Sequence, residues 1–413
     1  MLSKMDRSFL EFAITLYIPG FFINLGFSIV GPILPDYALS FGIPLGLASM
    51  VTTMNALGRI SSDIPLGTIC DRIGRRPLAI LGPLLVASSA ILSGLVMDFY
   101  QLLACRFITG VGMAMWMVAR QAMIADSVDP SIRGKVMSTF QGINMIGSAA
   151  GPAIGGFVAE IWGTRMPFFF YGGSVLVSLV MSYLMVKESS TREMHEEKHA
   201  VMTDMRKLLA YLTFPIMMAA FAQFVNHVRF AVRGFMMPIY YGETNIGLSY
   251  GEIGLIMSIS TITNIMMVLP GGYIVDKFGR KIALVPSLLM TGIVFALIPL
   301  TTDFTTAIIA SAALGLVTGI GGGATMTIAS DLAPPGIRGQ FLGFWQTIGD
   351  VGGALGPLIL GLLADASGLS MPFYVVGALM ILAASTTQFF VKETLPAKKV
   401  KTSEEISGND RKT

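Results

Sequence analysis

Charge is scarce in this sequence. Of 413 residues only 13% are Asp, Glu, Lys or Arg, against 53% hydrophobic, and the mean hydropathy is +0.70. A soluble domain carries roughly 25% charged residues, so a soluble protein with a large core is excluded and a membrane protein is expected. Cysteine and histidine are scarce too. Cys70 and Cys105 are the only cysteines, and His195, His199 and His227 the only histidines. Neither set makes a disulfide framework or a metal centre. No G-x-x-x-x-G-K-[ST] loop is present, so an ion gradient rather than a nucleotide is the expected energy source. Catalytic clusters are missing as well. No enzyme activity, cofactor, metal or nucleic-acid partner is expected, and the partners left are a small-molecule substrate, protons and the lipid bilayer. The N-terminal stretch MLSKMDRSFLEF is too charged for a signal peptide and lacks a small-residue cleavage site.

Long uncharged runs are plentiful. Leu78–Met97, Met166–Val186, Ile282–Thr302 and Met371–Val391 each reach the ~20 residues a helix needs to cross a bilayer. They are continuous rather than alternating, which selects helices over a barrel. The fold class expected is an all-α membrane protein of twelve spans in two pseudo-symmetric six-helix bundles. The spans are read at 9–34, 45–69, 78–97, 99–124, 136–158, 166–186, 209–240, 251–274, 282–302, 305–329, 340–362 and 371–391. The domain limits are 1–188 for the first bundle, 189–207 for a polar linker, 208–394 for the second bundle and 395–413 for a Lys-rich tail. Of 28 Lys and Arg, five (Arg59, Arg106, Arg120, Arg229, Arg233) fall within spans and Arg165 in a loop on the far side; the other 22 share the side of both termini. The positive-inside rule makes that side cytoplasmic, in a plasma membrane. The chain is expected to act as a monomer.

Two charged loops repeat. GTICDRIGRR begins at Gly67 and GYIVDKFGRK at Gly272, an offset of 272 − 67 = 205 residues. The same offset carries Asp126 onto Asp331, Gly147, Gly151, Pro152 and Gly156 onto Gly352, Gly356, Pro357 and Gly361, and the MPF at Met166 onto that at Met371. A gap-free register this long marks an internal duplication, the arrangement of transporters whose substrate site lies between parallel halves.

The first loop, with DSVDPSIRGKVM and DLAPPGIRGQFL, resembles the signature pieces of the major facilitator superfamily. The resemblance covers nearly the whole chain and is nearest to the drug:proton antiporter group. It implies alternating access of a central cavity to either side. It also implies that Asp71, Arg75 and Asp126 latch the halves in the outward-facing state, with Gly67 and Gly74 shaping the turn and Gly272, Asp276, Gly279 and Arg280 repeating it. The residues themselves also allow a simpler role, that of holding a basic loop on one side. GSAAGPAIGG, with Gly147, Gly151, Pro152, Gly155 and Gly156, resembles the antiporter motif of the fifth span and implies a seal against leak. Glycines four apart also serve plain helix packing, and GGALGPLILG in register in the second half supports that.

Charges inside the spans are the candidate site. A bare charge at mid-membrane costs at least about 2.5–3.5 kcal/mol, so it faces a cavity or a partner. Arg106 maps onto Ser311, so symmetry does not demand its charge; the family pattern implies a role in proton transfer. Arg59 and Asp63 sit four apart and form either an internal pair or part of the pathway. Arg229 and Arg233, also four apart, map onto Asn24 and Ser28, and Arg59 maps onto Asn264. Arg229 and Arg233 either bind an anionic group through paired hydrogen bonds or, for Arg233, reach outward to acidic loop residues such as Glu243. Asp350 or Asp63 is then the proton site. His227 is expected to be a packed polar residue, while Trp116 and Phe230 are weaker substrate contacts. Two functions compete: proton-coupled antiport of amphipathic compounds, and antiport or symport of an organic anion.

Overall fold

The computed structural model describes residues 13–186, 211–244, 246–334 and 337–395. The linker 189–207 and the tail from 396 onward lie outside the described residues. Helices occupy the positions of all twelve expected spans. The first half holds α1 (Ile18–Val30), α2 (Met50–Ile73), α3 (Arg75–Leu95), α4 (Phe99–Ser127), α5 (Pro130–Trp162) and α6 (Met166–Met185). The second holds α7 (Phe214–Ala231), α8 (Tyr250–Lys277), α9 (Arg280–Leu297), α10 (Phe304–Gly321), α11 (Arg338–Ser367) and α12 (Met371–Phe390).

Among the described residues nine of these helices are long and apolar enough to cross a membrane. The three that fall short are informative. α1 is short, entered by a π turn at Ala13–Tyr17 and followed by a break before Leu34–Leu39. α2 carries Arg59, Asp63, Asp71 and Arg72. α7 is diluted by Gln223, Asn226, His227 and Arg229, and it passes through a π turn (Val232–Met236, holding Arg233) into Met237–Glu243. Polar residues that lower the membrane affinity of one helix are tolerated when a bundle interior receives them. The weakest spans therefore supply Asn24, Arg59, Asp63, Arg229 and Arg233.

Within the halves α1 packs on α5 and α6, α2 on α4, α7 on α11 and α12, and α8 on α10. Between the halves α5 meets α8 and α2 meets α11. The signature loops turn at Gly74 (φ +95°) and Gly279 (φ +125°), a backbone region that favours glycine. Arg75 Nε bonds Asp126 Oδ2 at 2.9 Å, and the repeat bonds Arg280 Nε to Asp331 Oδ2 at 3.0 Å. Each pair joins helices of one half, so in this state Arg75 and Asp126 do not bridge the halves. The side chain of Asp71 lies outside what is described. Beyond α12, Glu393 accepts the N–H groups of Arg280 and Lys281 at the start of α9. Burial pushes its carboxyl up, but the N–H donors of Leu395, Arg280, Lys281 and Thr394 outweigh that and hold it below the usual carboxylate range.

The glycine motif of α5 serves two surfaces. Gly147, Gly151 and Gly155 face α1, where a Cβ on Gly155 would lie 1.8 Å from the Ile29 carbonyl oxygen. Gly156 faces α8 in the other half, where a Cβ would lie 2.2 Å from the Tyr250 carbonyl. Pro152 sits in the same contact, its carbonyl 2.3 Å from a Cβ built on Gly254. Backbone cannot yield as a side chain can, so Gly155→Ala forces α1 and α5 apart. Overpacking of this kind costs about 1–3 kcal/mol. We expect Gly155→Ala to lower the melting temperature of the purified protein by several degrees. Gly173→Ala, with nothing within 4 Å of its Cβ, is expected to leave it unchanged.

Candidate functional site

The halves touch at one face of the bundle and part at the other. On the face away from the signature loops, the Tyr250 hydroxyl donates to Asp36. Deeper in, Ala153 N–H donates to Ser258 Oγ at 2.9 Å and Thr53 Oγ1 to the Ala354 carbonyl at 2.7 Å. Towards the loop face such contacts are not continued among the described residues. Cβ atoms on Gly67, Gly134, Gly272 and Gly339 would meet nothing within 4 Å. A cavity of about 620 Å³ opens there between α5, α7, α8 and α10.

Three residues of the expected substrate pathway, Arg229, Arg233 and Asn264, line this cavity with Gln141, Thr318 and, near its mouth, Gly272 and Asp276 of the expected latch. Arg229 is only 9% exposed, its guanidinium carbon 4.9 Å from the ring centroid of Phe230, which also lines the cavity. Arg233 donates to the Thr261 hydroxyl and, at 3.3 Å, to the Met257 carbonyl. It therefore turns into the bundle, and among the described residues it makes no contact with the loop acids. Arg229 and Arg233, four positions apart, thus share the face of α7 and its following π turn that meets α8 and the cavity. Asn264 Nδ2 donates to Thr318 Oγ1 at 3.0 Å, which orients its amide at the cavity wall.

The other candidates lie apart from the cavity wall. Arg59 pairs not with Asp63 but with Asp350, Nη2 to Oδ1 at 3.0 Å, across the contact of α2 with α11. The internal Arg59–Asp63 pair is thus replaced by a bridge between the halves. Asp63 is exposed one turn along α2. His227 holds the Gln223 carbonyl through Nδ1 at 3.0 Å and packs its ring against Gly349, next to Asp350. Asn24 bonds the Gly20 carbonyl of its own helix at 2.9 Å.

Arg106 is 3% exposed and stands over the Phe27 ring at 5.9 Å. Its Nε and Nη1 are buried without a hydrogen-bond partner among the described residues, as is the hydroxyl of Tyr171. A residue missed as a candidate behaves similarly. Arg120, 6% exposed, stacks between Trp116 at 5.0 Å and Phe140 at 4.3 Å, with Nε unpartnered. The signal was in the sequence: Arg120 maps onto Thr325, so its charge too is not demanded by symmetry. Trp116 thus holds Arg120.

The arrangement has an uneven charge. Among the described residues Arg106, Arg120, Arg229 and Arg233 make no ion pair, while the one carboxylate bridged within the spans, Asp350, is held by Arg59. Guanidinium groups kept from water without carboxylates are costly, and their planar forks suit carboxylate, phosphate or sulfonate oxygens.

The chain is similar to known transport proteins along most of its length. The Major Facilitator Superfamily profile matches residues 16–225 and 219–408. Multidrug resistance protein 2 of Bacillus subtilis is 26% identical over 373 residues, covering 88% of this chain and 91% of that protein. The quinolone resistance protein NorA of Staphylococcus aureus is 26% identical over 367 residues, 87% of this chain and 91% of that one. The cis,cis-muconate transport protein of Acinetobacter baylyi is 23% identical over 354 residues, 84% and 85% of the two chains. Among solved structures, a bacterial homologue of the human lysosomal transporter Spinster, in an inward-facing and occupied conformation, superposes with a TM-score of 0.74 at 17% identity, over 94% of this chain and 97% of that one.

Proposed function

We propose, starting from the fact that this chain belongs to the Major Facilitator Superfamily and is a multi-pass membrane transporter of small molecules, that its substrate is an organic anion. The observation that carries this reading is the pair Arg229 and Arg233 in the cavity, with no carboxylate bonded to either among the described residues. Against these two guanidinium groups the cavity has one carboxylate, Asp276 near its mouth, so its inner wall is net positive, disfavours cationic compounds and pays its desolvation back when an anion enters. Arg106 and Arg120 in the first half add to the same field. Asn264, Gln141 and Thr318 supply neutral hydrogen bonds, and Phe230, Val268 and Met145 supply apolar walls. The name of one relative, the cis,cis-muconate transport protein, is that of a dicarboxylate carrier, which supports the anion class.

The face with the signature loops is assigned to the cytoplasm of a plasma membrane by its excess of Lys and Arg. The state described is then the inward-open one, both termini are cytoplasmic, and the bundles 1–188 and 208–394 are the two moving units. Asp63, exposed on α2, is the carboxylate offered to a coupling proton, while Asp350 is held by Arg59. A second reading, proton-coupled efflux of amphipathic compounds, is favoured by the multidrug and quinolone resistance relatives and by the antiporter-like stretch of α5.

The two readings part in reconstituted liposomes. With a proton gradient imposed, a panel of mono- and dicarboxylates, sulfonates, phosphate esters and cationic amphiphiles is followed. Saturable movement of one anion class, with proton flux in a fixed direction, is expected. Saturable movement of cationic compounds with none of any anion overturns the anion reading and leaves the efflux one.

A further inference from the structure

We propose that Glu160 and Asp365 are a matched pair of gate residues which hold the two halves shut at the face away from the signature loops. They are related by the internal repeat, since the offset of 205 carries residue 160 onto 365. It also carries Leu45 and Gly46 onto Tyr250 and Gly251, and Gly156 onto Gly361. The contacts obey the same relation. Asp365, at the end of α11, accepts the N–H of Leu45 at 3.0 Å and of Gly46 at 2.7 Å. Glu160, at the end of α5, accepts the N–H of Gly251 at 2.8 Å and the hydroxyl of Ser249 at 3.1 Å. Each carboxylate therefore reaches out of its own half and satisfies donors at the head of a span in the other half. Free N–H groups at such a position have no intrahelical acceptor, and a carboxylate there forms a charge-assisted bond.

The surrounding backbone is fitted to this reach. The glycine four residues before each carboxylate lies on the same helical face. A Cβ on Gly361 would meet the Leu45 carbonyl and the Gly46 Cα at 3.0 Å, and one on Gly156 would meet the Tyr250 carbonyl at 2.2 Å. On the target side a Cβ on Gly251 would lie 2.3 Å from Glu160 Oε2, and one on Gly46 3.0 Å from Asp365 Oδ2. Glycine brings the two backbones together, and the carboxylate one turn on then fastens them. The device appears twice, once at α5–α8 and once at α2–α11. No substitution at a single site removes it, and both copies must open before the cavity reaches this face.

The inference rests on alternating access within the family and not on the identity of the substrate, so its test needs no ligand. Distances are measured on the full chain in lipid between spin labels attached through Met97→Cys and Leu300→Cys, both exposed on the gated face and in different halves. A second label pair, Ile73→Cys and Phe278→Cys, reports the loop face. Glu160→Gln and Asp365→Asn remove one charge each. Each is expected to raise the population open at the gated face about tenfold, the gain from one charge-assisted bond, and the double variant by more than either. The loop-face distance should shorten in step, a reciprocal change that loosening or unfolding does not produce. Asp303→Asn is the control: Asp303 caps α10 within one half through Thr306 N–H at 2.9 Å and should leave both distributions unchanged. Unchanged distances in a folded, monodisperse double variant overturn the proposal, as does widening at both faces.

Discussion

Arg229→Gln is expected to raise the KM for the transported anion at least about tenfold, and Arg229→Gln with Arg233→Gln to abolish its transport, while each variant is more heat-stable than the parent. The two signs come from one cause. A hydrogen bond to a charged group contributes about 1.5–3 kcal/mol, so loss of one weakens binding about 10- to 150-fold. Without substrate the same guanidinium is a liability. Arg229 is nearly buried, beside Phe230, with no carboxylate bonded to it among the described residues. Glutamine keeps a hydrogen-bonding amide there but sheds the unpaired charge, and a buried charge costs several kcal/mol unless paired. Binding sites that trade stability for function show this opposition. A residue placed only for structure gives the reverse, lower stability with transport kept in the surviving protein. The measurements are initial uptake rates against anion concentration in liposomes and melting temperature without ligand. An equal loss of stability and transport, or unchanged KM, removes Arg229 from the binding site.

Much of this could be read in the residues. Uncharged runs of about twenty positions and a repeat of 205 residues lead directly to twelve spans in two halves. Positive φ at Gly74 and Gly279 follows from glycines placed where the chain must reverse. What the sequence could not show was which charges meet. Arg59 and Asp63 share a helical face, so local spacing favoured them as partners. The partner is instead Asp350, brought from 291 positions away by the packing of α2 against α11. Spacing leaves Arg233 free to face the cavity or to reach outward; its bonds to Met257 and Thr261 on α8 decide for the bundle interior. Nothing in the local sequence around Arg120 shows what its charge meets. Here Trp116 and Phe140 take its two faces. In the glycine motif the contacts divide by residue: Gly155 packs within a half, and Gly156 between halves.

Asp350→Asn is expected to stop transport while leaving anion binding intact, which separates it from the Arg229 variant. Along α2 and α11 the contact runs from Thr53 with Ala354 to Arg59 with Asp350. Beyond that, towards the loop face, Cβ atoms on Gly67 and Gly343 would meet nothing within 4 Å. The ion pair thus stands where the two helices part, the place that the proposed alternating access makes the pivot of one half on the other. Its side chains are 38% and 20% exposed, so breaking it costs less than the about 3–5 kcal/mol of a fully buried pair and more than the about 1 kcal/mol of a surface one. That is enough to shift the balance of two states about tenfold or more. With Asp350 neutral, Arg59 has Asp63 one turn away on its own helix as the remaining partner. It would then be tied within one half, and the bridge that registers the halves against each other would be lost. Removing both charges with Arg59→Gln and Asp350→Asn leaves no orphaned ion, so that double variant should recover part of the transport. Ligand-induced thermal shifts report binding, and liposome uptake reports transport. A double variant as inactive as Asp350→Asn alone would mean that the carboxylate acts by itself, as the proton site, and that its bond to Arg59 is incidental.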